Sequence, residues 1–201
     1  MSLKNSDLQY YDGNILRLSS EKRKEYHAQV DNLIAELRKH ITVNSDLKVK
    51  KVVKAGSFAK FTILKKTAED DIDVDVVFYI DGKNIDDTTL DNLNDLIYSL
   101  LTKIYPTKAV EDFEIQRRAA TVTFVKSGIS VDIVPVIQDE SNPNHGWQYD
   151  LKSKERNLTC APCHIQFIRD RKNSDKHYRT LVRMAKRWKN FENPPGVNSL
   201  P

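Results

Sequence analysis

The chain has 201 residues, 39% hydrophobic and 30% charged, which is enough for one sizeable core and too apolar for a largely disordered polymer. Its 32 Lys and Arg against 28 Asp and Glu give a formal net charge of +4, a mild excess that suits an anionic ligand without requiring one. No stretch approaches the roughly 20 apolar residues of a membrane helix, Met1 to Tyr11 hold no signal-peptide core, and Cys160 and Cys163 are too few and too close for a disulfide framework, so a cytoplasmic protein away from the membrane is expected.

In chain order, residues 1–18 read as an N-terminal extension. Residues 19–41 predict an amphipathic helix, capped by Ser19 or Ser20, with Tyr26, Val30, Leu33, Leu37 and Ile41 at helical spacing. Val49 to Ala55 reads as a short strand ending at Gly56-Ser57, and residues 58–70 as a turn and loop rich in Lys and Thr. From Asp71 to Ile80 a strand follows, with Asp71, Asp73 and Asp75 on one face and Ile72, Val74 and Val76 on the other. Three like charges on one face repel unless solvent or divalent cations neutralise them, and hard oxygen ligands at same-face positions suit Mg²⁺. A second helix is expected from Thr88 or Thr89 to Pro106, then strands at Phe113–Gln116, Ala120–Lys126 and Ile129–Ile137, the last carrying Asp132 in an apolar run. Residues 138–160 read as a long surface loop, 163–170 as a short helix, and Asp175 to Lys189 as a helix burying Tyr178, Leu181, Val182, Ala185 and Trp188.

Gly56-Ser57, thirteen intervening residues, Asp71-Ile72-Asp73 and a later strand Asp132 together resemble the DNA polymerase β-like nucleotidyltransferase superfamily. Within it, the chain looks most like bacterial cyclic GMP-AMP synthase-like and dinucleotide cyclase-like (CD-NTase) enzymes of CBASS antiphage systems. That likeness rests on Glu25 to Val30, the Gly-Ser-Phe-Ala-Lys-x-Thr loop, Asp-Ile-Asp-Val-Asp-Val-Val, Val-Asp-Ile-Val-Pro and the helix ending Leu-Val-Arg-Met-Ala-Lys-Arg-Trp. The resemblance implies an α+β palm, a mixed, mostly antiparallel sheet with helices on one face, over residues 19–190, followed at 191–201 by the beginning of a truncated or absent helical lobe.

It also implies a nucleotidyltransferase that joins nucleoside triphosphates, with ATP first and GTP or another triphosphate as further candidates, through a 2′- or 3′-hydroxyl with release of pyrophosphate, making a cyclic di- or oligonucleotide second messenger. Asp71, Asp73 and Asp132 would hold two Mg²⁺ (or Mn²⁺) and carry catalysis, with Asp75 as support. Gly56, Ser57, Lys186 and, more weakly, Ser199 would contact the triphosphate. Phe61 departs from the family, which often has Gly there. The alternatives are a transferase that extends an RNA primer and a nucleotide-binding fragment without turnover; nucleic-acid binding by the basic segments is a further, secondary expectation. Cys160, Cys163 and His164, with His145 or His177, could ligate zinc, against the plainer expectation of a packed loop.

Overall fold

A computed structural model of the chain describes residues 4–65, 72–82 and 92–192. Helix α1 (Asn5–Tyr10) runs into a π-helical turn, Tyr11–Leu16, and α2 (Ser20–Asn44) follows, opened by Ser19, whose hydroxyl accepts from Lys22 N at 3.2 Å. Strand β1 (Val49–Lys54) leads into the single helical turn α3 (Gly56–Ala59), and β2 (Ile72–Ile80) comes next. After α4 (Leu93–Ile104) and a 3₁₀ turn at Val110–Asp112 come β3 (Phe113–Ile115), β4 (Ala120–Phe124) and β5 (Ile129–Gln138). The chain then forms β6 (Gly146–Asp150), β7 (Glu155–Thr159), α5 (Ala161–Ser174) and α6 (Tyr178–Glu192).

The strands make one sheet in the order β1-β2-β5-β4-β3, with β6 paired to the end of β5 and β7 to β6. Among the described residues only β2 and β5 run parallel, and the other pairings are antiparallel. Alternation along the two central strands divides the faces. Ile72, Val74, Val76, Phe78 and Ile80 of β2 and Ile129, Val131 and Ile133 of β5 pack in a core with Tyr26, Val30, Leu33, Leu37 and Ile41 of α2 and Ile97, Leu100 and Leu101 of α4. The opposite face carries Asp73, Asp75 and Asp132 and a small apolar cluster of Ala55, Val77, Tyr79, Val136 and Ala161. The carboxylates thus occupy the face that the two long helices leave uncovered.

Two expectations are corrected. Residues 138–160 are not a long loop but contain the β6–β7 hairpin, in which Trp147 pairs with Leu158 and Tyr149 with Arg156. The alternation there is masked by polar residues on both faces, because the hairpin lies at the sheet margin. In α6 the apolar stripe is turned outward: Leu181 and Trp188 are exposed, while Arg183 is buried. An ion pair fixes that rotation. Arg183 donates through Nε to Asp12 Oδ1 at 2.5 Å and through Nη2 to Asp12 Oδ2 at 2.7 Å, and through Nη1 to the Phe61 carbonyl at 2.6 Å. A buried guanidinium with its donors satisfied outweighs the periodicity of the apolar residues.

Candidate active site

The parallel register sets Asp75 of β2 directly beside Asp132 of β5, and Asp73 beside Ser130. Both Asp75 and Asp132 are partly buried and Asp73 is exposed, so the three form a short row running from the sheet interior to solvent. Burial pushes the Asp75 carboxyl above the usual carboxylate range, and the neighbouring Asp132 pushes it further, against the pull of Lys60 and Lys186. Asp132 is likewise raised by burial, opposed by the Thr121 hydroxyl, which donates to its Oδ1 at 2.6 Å. Two carboxylates forced together out of water are destabilising as anions, and a divalent cation between them removes that cost. Hard oxygen donors on adjacent strands fit Mg²⁺ or Mn²⁺.

Across from this pair, β1 closes against β2 through the Ala55 amide, which donates to the Asp75 carbonyl at 2.7 Å, and Gly56 then turns into α3. Gly56 has φ +57°, and a Cβ added there would lie 1.5 Å from Asp75 Oδ2. Glycine is thus required twice, by conformation and by the approach of its backbone to the carboxylate. Ser57 follows at the start of the turn, its carbonyl accepting from Thr62 N at 3.0 Å. Lys60 ends the turn, and both it and Lys186 of α6 lie near enough to favour the charged form of the Asp75 carboxyl. Burial and the proximity of Lys60 lower Lys186, while Asp75 raises it. Two cations beside a metal-type carboxylate pair suit a bound polyphosphate.

Asp73 and Asp132 thus share one face of the sheet with Asp75, Gly56 lies against the Asp75 carboxylate with Ser57 next in the chain, and Lys186 acts on that carboxylate electrostatically. Asp71 and Ser199 lie outside the described residues. Asp75, assigned a supporting place from sequence, is the strand carboxylate that faces Asp132. The signal for it was the apolar run that begins at Val76, which marks Asp75 as the last carboxylate before the buried half of the strand. Thr121 carried no sequence signal, since its contact depends on the β4–β5 register.

Away from this site, Cys160 caps α5 and is joined to Cys163 by a disulfide, Cα to Cα 5.2 Å. It is one local bridge across a helical turn, and it engages both sulfurs. The side chain of His145 lies with them, the three ligand atoms falling within 4.8 Å of one another. Among the described residues no helix is long and apolar enough to cross a membrane.

Comparison with known proteins places these features. Residues 1–172 match the Second Messenger Oligonucleotide or Dinucleotide Synthetase domain. The chain is 53% identical over 195 residues to the CBASS oligonucleotide cyclase CdnC of Escherichia coli (strain KTE188), covering 96% of this chain and 62% of that protein. A cyclic AMP-AMP-AMP synthase of E. coli (strain MS 115-1) is 32% identical over 177 residues, covering 86% of this chain and 53% of the relative. The chain thus spans between half and two thirds of the length of these relatives. The structure of E. coli MS115-1 CdnC with ATP superposes with a TM-score of 0.73 at 28% identity, covering 96% of this chain and 60% of that one. Vibrio cholerae DncV, at 13% identity and a TM-score of 0.73, covers 92% of this chain and 66% of its own and shares the polymerase β-like fold. The chain belongs to the Second Messenger Oligonucleotide or Dinucleotide Synthetase domain family.

Proposed function

We propose that this chain is the catalytic palm of a CBASS cyclic oligonucleotide synthase, joining nucleoside triphosphates through a 2′- or 3′-hydroxyl with loss of pyrophosphate. The observation that carries this reading is the in-register pair Asp75 and Asp132, with Gly56 pressed against Asp75. Asp73, Asp75 and Asp132 would hold Mg²⁺ or Mn²⁺, which supplies Lewis-acid stabilisation of the attacking and leaving oxygens. Asp71 stays a candidate for the same set, outside the described residues. Asp132 would take the proton of the acceptor hydroxyl, a reading supported by its Thr121 hydrogen bond and its upward shift on burial. Gly56 and Ser57 would receive the triphosphate, and Lys60 and Lys186 would offset its charge. Ser199 joins this list only by family likeness.

ATP is the first substrate to test, because the CdnC relative of known structure is described with ATP. A HORMA protein is a candidate partner, since the same relative is described in complex with one. The chain is incubated with radiolabelled triphosphates and Mg²⁺, and products are separated after phosphatase treatment. Phosphatase-resistant product formed without primer, and absent from Asp73→Asn/Asp75→Asn, is expected. Linear product that grows only on added RNA would transfer the assignment to a primer-extending enzyme. Triphosphate binding with no pyrophosphate release under either metal would leave a binding module.

A further inference from the structure

Behind the phosphate-side turn lies a cavity of about 340 Å³ that the proposed chemistry does not use. Arg17, Arg23, Lys172, Lys176, Arg179 and Arg183 line it, and among the described residues no carboxylate does. Asp12 sits just behind, but it is already engaged by Arg17 at 2.8 Å, by Arg183, and by the Thr180 hydroxyl at 2.9 Å. Among the described residues no carboxylate pairs with the remaining four cations.

The two central guanidiniums are held in place without being neutralised. Arg23 stacks on Phe61 with its guanidinium carbon 3.8 Å from the ring centroid and donates to the Phe58 carbonyl, while Arg179 lies 4.9 Å from the Phe61 centroid. Both Nε atoms are buried and lack a hydrogen-bond partner among the described residues. Burial, then the charge of Arg179, pushes Arg23 down to about 10. Unsatisfied buried donors and unpaired like charges are each costly, and an anion settles both at once. Phe61, at φ +60°, is the residue on which the arrangement is built. A bulky residue in the left-handed region is unusual and calls for compensation elsewhere.

We propose that this cavity is a second anion site, for a compact polyphosphate such as inorganic triphosphate or the phosphate tail of a nucleotide. The planar forks of Arg23 and Arg179 suit phosphate oxygens, and four cations without a carboxylate partner among the described residues exceed what one carboxylate would balance. Recession favours a compact ligand over a duplex: the guanidiniums lie on Phe61 within a cavity rather than projecting from a surface. The site is separate from the carboxylate face, since Gly56, Ser57, Asp75 and Lys186 are not among its lining. Occupancy would brace the turn between Phe58 and Phe61, whose carbonyls accept from Arg23 and Arg183.

Calorimetric titration with inorganic triphosphate, without divalent metal, tests the site. Binding is expected to persist in Asp73→Asn/Asp75→Asn and in Lys186→Ala, and to weaken about tenfold or more in Arg23→Ala/Arg179→Ala. The exposed pair Lys172→Ala/Lys176→Ala avoids any risk to folding and is expected to weaken it about threefold to tenfold, more at low salt. Undiminished affinity in both cavity variants, or loss in Lys186→Ala, overturns the proposal. So does a cavity-sensitive affinity for duplex DNA with none for triphosphate. Magnesium-dependent turnover surviving any of these failures leaves the proposed palm function standing.

Discussion

Asp75 shows how a single residue's role turns on its neighbours. Along β2 it is equivalent to Asp73 by alternation, yet it sits opposite Asp132 and beneath Gly56, whereas Asp73 faces Ser130 and solvent. Asp75→Asn removes one of two crowded carboxylates, so the metal-free variant is expected to melt no lower than the parent. Its Mg²⁺-induced rise in melting temperature is expected to vanish, and turnover to fall at least about 100-fold. A variant that keeps both turnover and the Mg²⁺ shift would return Asp75 to a supporting place. Gly56→Ala is expected to cost about 1–2 kcal/mol in urea unfolding from left-handed backbone strain alone. It should also depress turnover, because the new methyl meets the Asp75 carboxylate. Thr121→Val leaves Asp132 without its 2.6 Å donor and should weaken Mg²⁺ about tenfold, read by titrating activity against metal.

At the scale of elements, the sequence was most legible where periodicity and burial agree. Helix α2 and strands β2 and β5 carry apolar residues at the spacing their core face demands, and each lies within a few residues of its expected span. The pairing of Asp75 with Asp132 was not legible, since parallel register depends on how far the connection between β2 and β5 carries the chain. Polarity on both faces hid the β6–β7 hairpin. Helix α6 misled because its strongest pattern, the stripe through Leu181, Ala185 and Trp188, faces out while Arg183 faces in. That rotation is testable. Leu181→Ser/Trp188→Ser is expected to change urea stability by less than about 1 kcal/mol, where burying that stripe would make the loss several times larger. A loss above about 3 kcal/mol would mean that the stripe, not Arg183, faces the core.

Across the described residues, the hydrogen bond with the longest reach in sequence is Asp12 to Arg183, joining residues 171 apart and tying the N-terminal π-helical turn to α6. Burial alone would raise Asp12, but hydrogen bonds from Arg183, Arg17 and Thr180 outweigh it and bring the carboxyl to about 2, below its ordinary 3.8. A carboxyl lowered on folding stabilises above its unfolded value and loses that contribution as pH falls through the folded one. The tie should therefore be intact at neutral pH and give way between about pH 4 and pH 2. Asp12→Asn leaves Arg183 buried without its counter-charge and is expected to cost about 3 kcal/mol at pH 7. The gap between parent and variant should close as pH drops through that window, because the parent carboxyl then becomes neutral as well. Acid sensitivity will not disappear from the variant: Asp150, held low by Arg117 and by Arg118, keeps its own slope. Urea midpoints of parent and variant from about pH 7 down to about pH 2 decide the matter. A gap that stays constant to about pH 2 would show that Asp12 contributes shape rather than charge, and would remove the ion pair as the cause of the orientation of α6.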